Sequence, residues 1–246
     1  MNKSLILSVG MPRAGTGWYY NLTQDLVIAG GGVDAKNVRA KYGLKHILTE
    51  VNCNIGTLSF YRLIPVTIPI VFEPGYTIKL HAERRPLADS LIELNLIKPT
   101  FIYRDPRDAL LSAYEYGERM RTAGFENAFT PLMTIDDAIL FMTDYVEIAK
   151  GWISSKKTLC LKYEDLIRNY DSEVKRLCDF LQADPEGTKT KEVIEKYRPE
   201  KKAKHHEGMH FVKGKIGRHK TSFSDFQLAE CERLFGDFLD QYGYSD

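Results

Sequence analysis

The chain has few cysteines, and no two of them are close together in the sequence. Among its 246 residues only four are cysteine, namely Cys53, Cys160, Cys178 and Cys231. None of them forms a C-x-x-C pair, so the sequence offers neither a zinc ribbon nor a disulfide framework. We therefore expect four reduced thiols, the usual state in a reducing compartment.

Long apolar runs are also missing. The first apolar segment, residues 5–10, is too short for the core of a signal peptide and leads directly into a glycine turn. The most apolar stretch elsewhere, residues 63–72, is interrupted by Pro65 and Pro69 and is shorter than a membrane span. We therefore expect a cytoplasmic protein with no membrane-spanning segment.

The chain has almost no net charge. Its 34 Lys and Arg residues against 33 Asp and Glu residues give a formal net charge of +1. Bulk charge therefore gives no reason to expect a nucleic-acid partner, and any anion site has to come from local clustering. Hydrophobic residues make up 43% of the chain, which is enough for a buried core. No repeat or linker divides the sequence, so we predict one domain over residues 1–246.

Short apolar strands alternate with helices along the chain. The patterns predict strands at residues 5–9, 77–80, 100–103 and 158–161, and helices at 16–28, 42–51, 87–96, 134–152, 163–181 and 188–197, with others opening at Pro106 and Ser224. This alternation is typical of βαβ units and predicts a P-loop-type three-layer α/β/α fold with a central, mostly parallel sheet. Ligands in such folds bind beyond the carboxyl ends of the strands. The loops after Val9, Leu80 and Tyr103 are therefore the candidate site.

The loop after the first strand has the composition of a phosphate-binding loop. It reads Gly-Met-Pro-Arg-Ala-Gly-Thr-Gly over residues 10–17. Its glycines let backbone N–H groups turn inward, and the helix that follows presents unpaired N–H groups and a positive dipole end. Against the Walker pattern, Thr16 stands at the lysine position and Gly17 at the position of the magnesium-binding hydroxyl, while the cation is Arg13. The loop therefore suits a phosphate without ATP hydrolysis; a glycine turn without a ligand is the alternative.

A second motif begins where the third strand ends. Residues 103–112 read Tyr-Arg-Asp-Pro-Arg-Asp-Ala-Leu-Leu-Ser. Arg104, at the strand tip, can donate a planar fork of hydrogen bonds to a phosphate. Ser112 lies one to two helical turns further on and can face the same anion. The alternative is a surface Arg–Asp network, which would contribute little.

A lysine and a histidine close the second strand. Residues two apart in a strand point to the same side, so Lys79 and His81 share a face if the extended conformation persists. A histidine, whose ordinary pKa is about 6.5, can accept a proton near neutral pH, and a lysine can stabilise charge on a departing oxygen. The alternative for His81 is a hydrogen-bonded polar residue without a catalytic role.

In chain order, these motifs resemble those of the sulfotransferases that use 3′-phosphoadenosine 5′-phosphosulfate (PAPS). Residues 12–18 resemble the family's 5′-phosphosulfate loop, residues 104–112 its 3′-phosphate motif, and Lys79 with His81 its K-x-H pair. The resemblance implies in-line transfer of a sulfuryl group from PAPS to an acceptor hydroxyl or amine, with 3′-phosphoadenosine 5′-phosphate (PAP) as product and no metal.

The resemblance also implies a role for each matching residue. His81 is the general base, with Lys79 and Arg13 stabilising charge on the oxygen that leaves sulfur. The implied cofactor-binding residues are Arg13, Ala14, Gly15, Thr16, Gly17, Trp18, Arg104, Ser112, Tyr163, Lys213 and Gly214. Trp18 stacks on adenine by this comparison, and Arg104 and Ser112 hold the 3′-phosphate.

Two of these assignments come from weaker segments. Tyr163 opens a Tyr-Glu-Asp-Leu segment like the family's, although an acid-rich helix start explains its neighbours equally well. Lys213 and Gly214 lie in a segment resembling the family's C-terminal 3′-phosphate loop, but Val212 replaces an arginine there and His219 a tryptophan. Arg218 or Lys220 is a candidate for the missing charge.

Other function classes stay open from the sequence. A P-loop small-molecule kinase would need ATP and Mg²⁺, and a non-catalytic nucleotide-binding protein would not need Lys79 and His81. His205, His206 and His210 lack carboxylate or cysteine partners at useful spacing, so we expect no metal site. The acceptor, either a small molecule or a carrier-bound one, has as candidate pocket residues the aromatics Tyr61, Phe72, Tyr76, Tyr114, Tyr116, Phe125 and Phe129, for which ordinary core packing is the alternative.

Overall fold

Four parallel strands form the centre of the computed structural model, which describes residues 3–200 and 216–245. They are β1 (Leu5–Gly10), β2 (Tyr76–Leu80), β3 (Ile97–Tyr103) and β4 (Leu159–Lys162), in the sheet order β2-β1-β3-β4. Val9 of β1 lies opposite Leu80 of β2 and Phe101 of β3. The carboxyl ends of these strands therefore meet at one edge of the sheet.

Helices connect and cover the strands. In chain order they are α1 (Thr16–Ala29), α2 (Ala35–Lys41), α3 (Phe60–Thr67), α4 (Pro86–Glu93), α5 (Pro106–Thr122), α6 (Ile135–Ile153), α7 (Tyr163–Arg168), α8 (Tyr170–Leu181), α9 (Thr188–Lys196), α10 (His219–Ser222) and α11 (Asp225–Gln241). Two short 3-10 segments span Leu44–His46 and Ile68–Val71.

Each face of the sheet has its own hydrophobic core. On one face, Leu5, Leu7 and Val9 of β1 join a cluster that includes residues of α5, α6 and α11. On the other face, Ile6 of β1 and Ile102 of β3 pack with residues of α1 and α8. Successive strand residues point to opposite faces, and burial of both sets of side chains requires helices on both sides. The predicted three-layer α/β/α fold with a parallel sheet is confirmed.

Sequence signals at helix starts proved more reliable than the helix lengths. Thr134 with Asp137, and Ser224 with Gln227, form the two reciprocal capping boxes that the sequence predicts. The helix predicted at residues 42–51 is wrong. Asp34 caps the preceding segment instead, so that α2 starts at Ala35, and only a short 3-10 segment follows Gly43.

The predicted helix at residues 163–181 is divided in two at Asn169, whose φ of −123° and ψ of 43° lie outside the helical region. None of the helices described here has both the length and the apolar character that a membrane span requires. The four cysteines are free thiols, with Cys53, Cys178 and Cys231 buried.

Candidate functional site

A cavity of about 380 Å³ lies at the carboxyl edge of the sheet. The predicted site residues that line it are Arg13, Gly15, Thr16, Gly17, Trp18, Lys79, His81, Arg104, Ser112 and Tyr163. Ala14, also in the loop, is fully buried and does not line the cavity. Lys213 and Gly214 lie outside the described residues, as do His205, His206 and His210.

The loop after β1 is a tight turn with two left-handed residues. Gly15 has φ of 76° and Arg13 has φ of 64°, a conformation that is uncommon for any residue other than glycine. Such backbone strain clusters at ligand sites when the surrounding structure holds it in place. Gly10 is required for a different reason, because a Cβ there would lie 2.5 Å from Cγ2 of Thr16.

The side chain of Arg13 connects this loop to α5. Its Nε donates a hydrogen bond to Oγ of Ser112 at 3.3 Å, and its guanidinium lies 4.5 Å from the ring centroid of Tyr116. Burial is the main cause that lowers the pKa of Arg13 to about 10, so the side chain stays charged at neutral pH. The phosphate loop and the helix that follows β3 therefore share one cation.

Lys79 and His81 both line the cavity. Nδ1 of His81 is 2.7 Å from the carbonyl oxygen of Gly10. A carbonyl oxygen can only accept, so Nδ1 carries the hydrogen and Nε2 keeps its lone pair. Burial, and next the charge of Lys79, lower the pKa of His81 to about 3, so the imidazole is neutral at physiological pH. Burial also lowers the pKa of Lys79, to about 8.

Arg104 is positioned by a buried carboxylate. Its Nη2 donates to Oδ2 of Asp108 at 3.2 Å. The same carboxylate accepts hydrogen bonds from the backbone N–H of Gly217 at 2.7 Å and from both the backbone N–H and Nδ1 of His219. Burial alone would raise the pKa of Asp108, but the bonds from His219 and the charge of Arg104 outweigh it and hold the pKa below its ordinary value. Asp108 thus fixes the start of the described C-terminal segment beside Arg104.

Tyr163 fills the space between the two arginine-bearing motifs. Its ring lies so close to Gly15 that a Cβ there would be 2.8 Å from Cε2 of the tyrosine. The guanidinium of Arg104 lies 4.6 Å from the same ring's centroid. The left-handed turn at Gly15 and the absence of a side chain there let this packing occur.

Trp18 lies at the edge of the cavity but is largely enclosed by protein. Its ring packs against Tyr170 at a centroid distance of 6.2 Å, and its Nε1 donates to the carbonyl oxygen of Tyr197 at 3.0 Å. Only 5% of the residue is exposed. Only a small part of the indole ring is therefore left to face the cavity. Stacking of adenine on this part stays a prediction.

Four aromatic side chains that line the cavity form an aromatic wall, made of Tyr116, Phe129, Phe141 and Tyr145. The first two were candidate pocket residues from the sequence. The rings of this wall form a chain, with centroid distances of 5.8 Å from Tyr116 to Phe129, 5.7 Å from Phe129 to Phe141 and 5.0 Å from Phe141 to Tyr145. Phe141 and Tyr145 were missed, although their spacing of four residues on a strongly capped helix indicates a shared face. The other aromatic candidates, Tyr61, Phe72, Tyr76, Tyr114 and Phe125, do not line this cavity.

Other lining residues were not singled out by the sequence. They are Asn52, Glu115, Arg119, Asn127 and Ala128. Pro12, the first residue of the motif at residues 12–18, and Arg218, which the sequence suggested only as a source of charge, line the cavity as well. Arg218 forms an ion pair with Glu115 at the cavity. Among the described residues, no three His, Cys, Asp or Glu side chains form a group that could hold a metal ion.

The segment between α5 and α6 is held against α5 by close backbone contact. Gly117 permits this contact, because a Cβ there would lie 2.1 Å from the carbonyl oxygen of Phe129. Nη1 of Arg121 donates to the carbonyl oxygens of Thr130 and Leu132 at 2.9 and 2.8 Å. These contacts place Phe129 in the cavity.

These features place a modified phosphate loop and a second arginine in one cavity at the edge of a parallel α/β sheet. The chain belongs to the sulfotransferase domain family, whose sequence profile matches residues 3–243. It is similar to two hydroxysteroid sulfotransferases of the guinea pig, Cavia porcellus, a 3-alpha and a 3-beta enzyme. Each is 25% identical over 167 residues, which cover 59% of this chain and 57% of the relative. The match thus spans little more than half of these relatives.

Solved structures share the fold at lower identity. A mouse sulfotransferase complexed with PAP has a TM-score of 0.61 and 14% identity, with 98% of this chain and 86% of that chain covered. A retinol dehydratase in complex with androsterone and the inactive cofactor PAP has a TM-score of 0.59 and 17% identity, with 97% and 81% covered.

The packing at Gly117 gives a testable prediction. Gly117→Ala should push the backbone at Phe129 away from α5, because the added Cβ has nowhere to go, and so open the aromatic wall. We expect a loss of stability of about 1–3 kcal/mol, measured by denaturant unfolding. Gly151→Ala, on α6 where a Cβ meets open space, is the matched control. Equal effects of the two substitutions would contradict this role for Gly117.

Proposed function

We propose that this protein transfers a sulfuryl group from PAPS to an acceptor hydroxyl or amine. The observation that carries the proposal is a single cavity lined by Arg13 of the phosphate loop, the Lys79–His81 pair and Arg104. Membership of the sulfotransferase domain family and the PAP complex of the mouse relative support the same cofactor.

The two ends of the nucleotide have separate binding groups in this proposal. Backbone N–H groups of the loop and the N-terminus of α1 hold the 5′-phosphate, with Arg13 beside the bridging oxygen. Arg104, Ser112 and Tyr163 hold the 3′-phosphate side. Lys213 and the amide of Gly214 complete that side, as the sequence resemblance implies. Asp108 orients Arg104, and its bonds to Gly217 and His219 anchor the segment that follows Gly214 in the chain.

The chemistry proposed is a direct displacement at sulfur. The acceptor oxygen or nitrogen forms a bond to sulfur while the bond from sulfur to the bridging oxygen breaks, and the electron pair of that bond stays on the 5′-phosphate of PAP. Nε2 of His81 takes the acceptor proton. Lys79 and Arg13 stabilise the charge that develops on the bridging oxygen. Bound PAPS offsets the positive charge of Lys79 and so raises the basicity of the neighbouring imidazole.

The acceptor in this proposal is a small molecule or a carrier-bound group with an apolar part that packs on the aromatic wall. The wall suits the class of acceptor named by the steroid sulfotransferase relatives, whose activity we carry over only as part of the proposal. The cytoplasmic location expected from the sequence stays a prediction.

The role of His81 is tested by its removal. We expect His81→Ala to lower kcat by about 10²–10⁴-fold, because the acceptor proton loses its base, while calorimetry gives nearly the same PAP affinity. Transfer from radiolabelled PAPS measures the rate. His46→Ala, at an exposed histidine outside the cavity, is the control. Retained turnover with lost PAP binding would refute the assignment.

Arg104 should distinguish nucleotides by their 3′-phosphate. We expect Arg104→Ala to weaken PAP by about 10–100-fold, the loss of a charge-assisted contact, with a much smaller effect on 5′-AMP. Comparing the two nucleotides on one variant separates recognition from any general damage caused by leaving Asp108 buried without its ion pair. Equal weakening of both nucleotides would contradict the proposal.

The lowered pKa values predict an unusual pH profile. Lys79 loses its proton as pH rises through about 8, so kcat/KM for PAPS should fall above that pH. No ascending limb from His81 should appear between about pH 5 and 7, because its pKa lies near 3. Lys79→Arg should move the descending limb to higher pH, since a guanidinium stays protonated. Any titration of PAPS itself affects the wild type and Lys79→Arg equally, so it does not change the difference between their pH profiles. An unmoved limb would show that another group titrates.

A further inference from the structure

The cavity holds more cations than the proposed PAPS contacts use. Among the described residues that line it are five cationic side chains, Arg13, Lys79, Arg104, Arg119 and Arg218, and one carboxylate, that of Glu115. The first three belong to the proposed nucleotide site. Glu115 forms an ion pair with Arg218. Arg119 is exposed, and its guanidinium has no carboxylate within ion-pair distance among the residues that the structure describes.

Arg119 lies at the acceptor end of α5. Ser112, Tyr116 and Arg119 are spaced by four and three residues and so share one face of the helix. At about 1.5 Å of rise per residue, Arg119 lies roughly 10 Å along the helix axis beyond Ser112. Its guanidinium is 5.6 Å from the ring centroid of Tyr116, the first ring of the aromatic wall. This distance along the helix separates Arg119 from the proposed 3′-phosphate contact Ser112, whereas Arg13 lies at the same Tyr116 ring, 4.5 Å from its centroid.

A purely structural role does not account for Arg119. Arg121, two residues further on, supplies the hydrogen bonds that hold the segment between α5 and α6. No side-chain hydrogen bond from Arg119 to another described residue is found. The contact with the Tyr116 ring holds the guanidinium of Arg119 at the aromatic wall. It does not occupy the N–H donors of this guanidinium, because the face of an aromatic ring does not accept the paired hydrogen bonds that a carboxylate accepts.

We propose that the acceptor carries an anionic oxygen group, a carboxylate or a sulfate, which pairs with Arg119 while its apolar body packs on the aromatic wall. The inference rests on the proposed sulfuryl transfer. An anionic acceptor is repelled by PAPS, whose phosphate and sulfate groups are negative, so it requires a cation of its own at the far end.

Matched acceptor pairs test the inference. Each pair compares a carboxylate with its uncharged methyl ester, and the three acids are 3-(4-hydroxyphenyl)propanoate, a hydroxy fatty acid and methyl glucuronide. Transfer from radiolabelled PAPS gives kcat/KM for each member. In at least one pair we expect the wild type to favour the acid by about tenfold or more, the effect of one charge-assisted pair.

Variants then assign the preference to Arg119. Arg119→Gln should bring the acid-to-neutral ratio close to one, and Arg119→Lys should retain part of it, since a lysine keeps the charge without the fork. Arg168→Gln, at an exposed arginine on α7 outside the cavity, should leave the ratio and the rate unchanged. Calorimetry with PAP should give the same affinity for Arg119→Gln and the wild type, because Arg119 is not among the proposed nucleotide contacts.

Three results with the acceptors would overturn the inference while PAP still binds the wild type. They are a preference for the neutral member in every pair, no transfer to any acid, and an acid preference that survives Arg119→Gln. A large loss of PAP affinity in Arg119→Gln would also overturn it, by moving this arginine to the nucleotide. Failure of the wild type to bind PAP would contradict the proposed function itself, and this inference with it.

Discussion

The parallel register of β1, β2 and β3 is the constraint on which the site depends. Val9 opposite Leu80, and Gly10 opposite Ile102, end the three strands at one level. The residues that follow, including Arg13, His81 and Arg104, therefore enter one cavity although they are far apart in the chain. A shift of one strand by one residue would turn its side chains to the other face of the sheet and so separate the site residues from one another. The cores on both faces, which bury every residue of β1, hold this register.

A buried carboxylate extends the site beyond the strand ends. Asp108 follows Arg104 by only four residues in sequence, yet its other donors come from Gly217 and His219. Burying such a charge is unfavourable unless its hydrogen bonds are made, and here arginine, imidazole and backbone N–H groups all contribute. The arrangement ties the C-terminal part of the chain to the proposed 3′-phosphate site. It also gives a physical use to the histidine at a position where the family pattern has tryptophan.

The sequence predicted the parts of the site that are local. A glycine loop between a strand and a helix, an arginine at a strand tip and a lysine–histidine pair are each contained in a few residues, and the structure brings all of them to one cavity. Phe141, Tyr145 and Arg119 were not predicted, because their place in the cavity depends on how α5 packs against α6. The contact of Gly117 with the backbone at Phe129, which fixes part of that packing, has no signature within a short window of sequence.

The errors in the fold have equally local causes. A helix was expected at residues 42–51, but the cap at Asp34 starts a helix earlier and the left-handed Gly43 follows it. Aromatic residues such as Tyr61 and Phe72 were candidates for the acceptor pocket, and both are exposed at the surface instead. The sequence shows which residues are aromatic but not whether each one lies in the core, in the pocket or at the surface. Their locations depend on the tertiary structure.

Calorimetry with two nucleotides tests the central claim most directly. If one cavity binds an adenosine bisphosphate by both ends, the wild-type protein binds PAP tightly without any metal and binds ATP much more weakly, with or without Mg²⁺. Tight binding of ATP that requires Mg²⁺, together with weak binding of PAP, would instead indicate a kinase-type site and contradict the account.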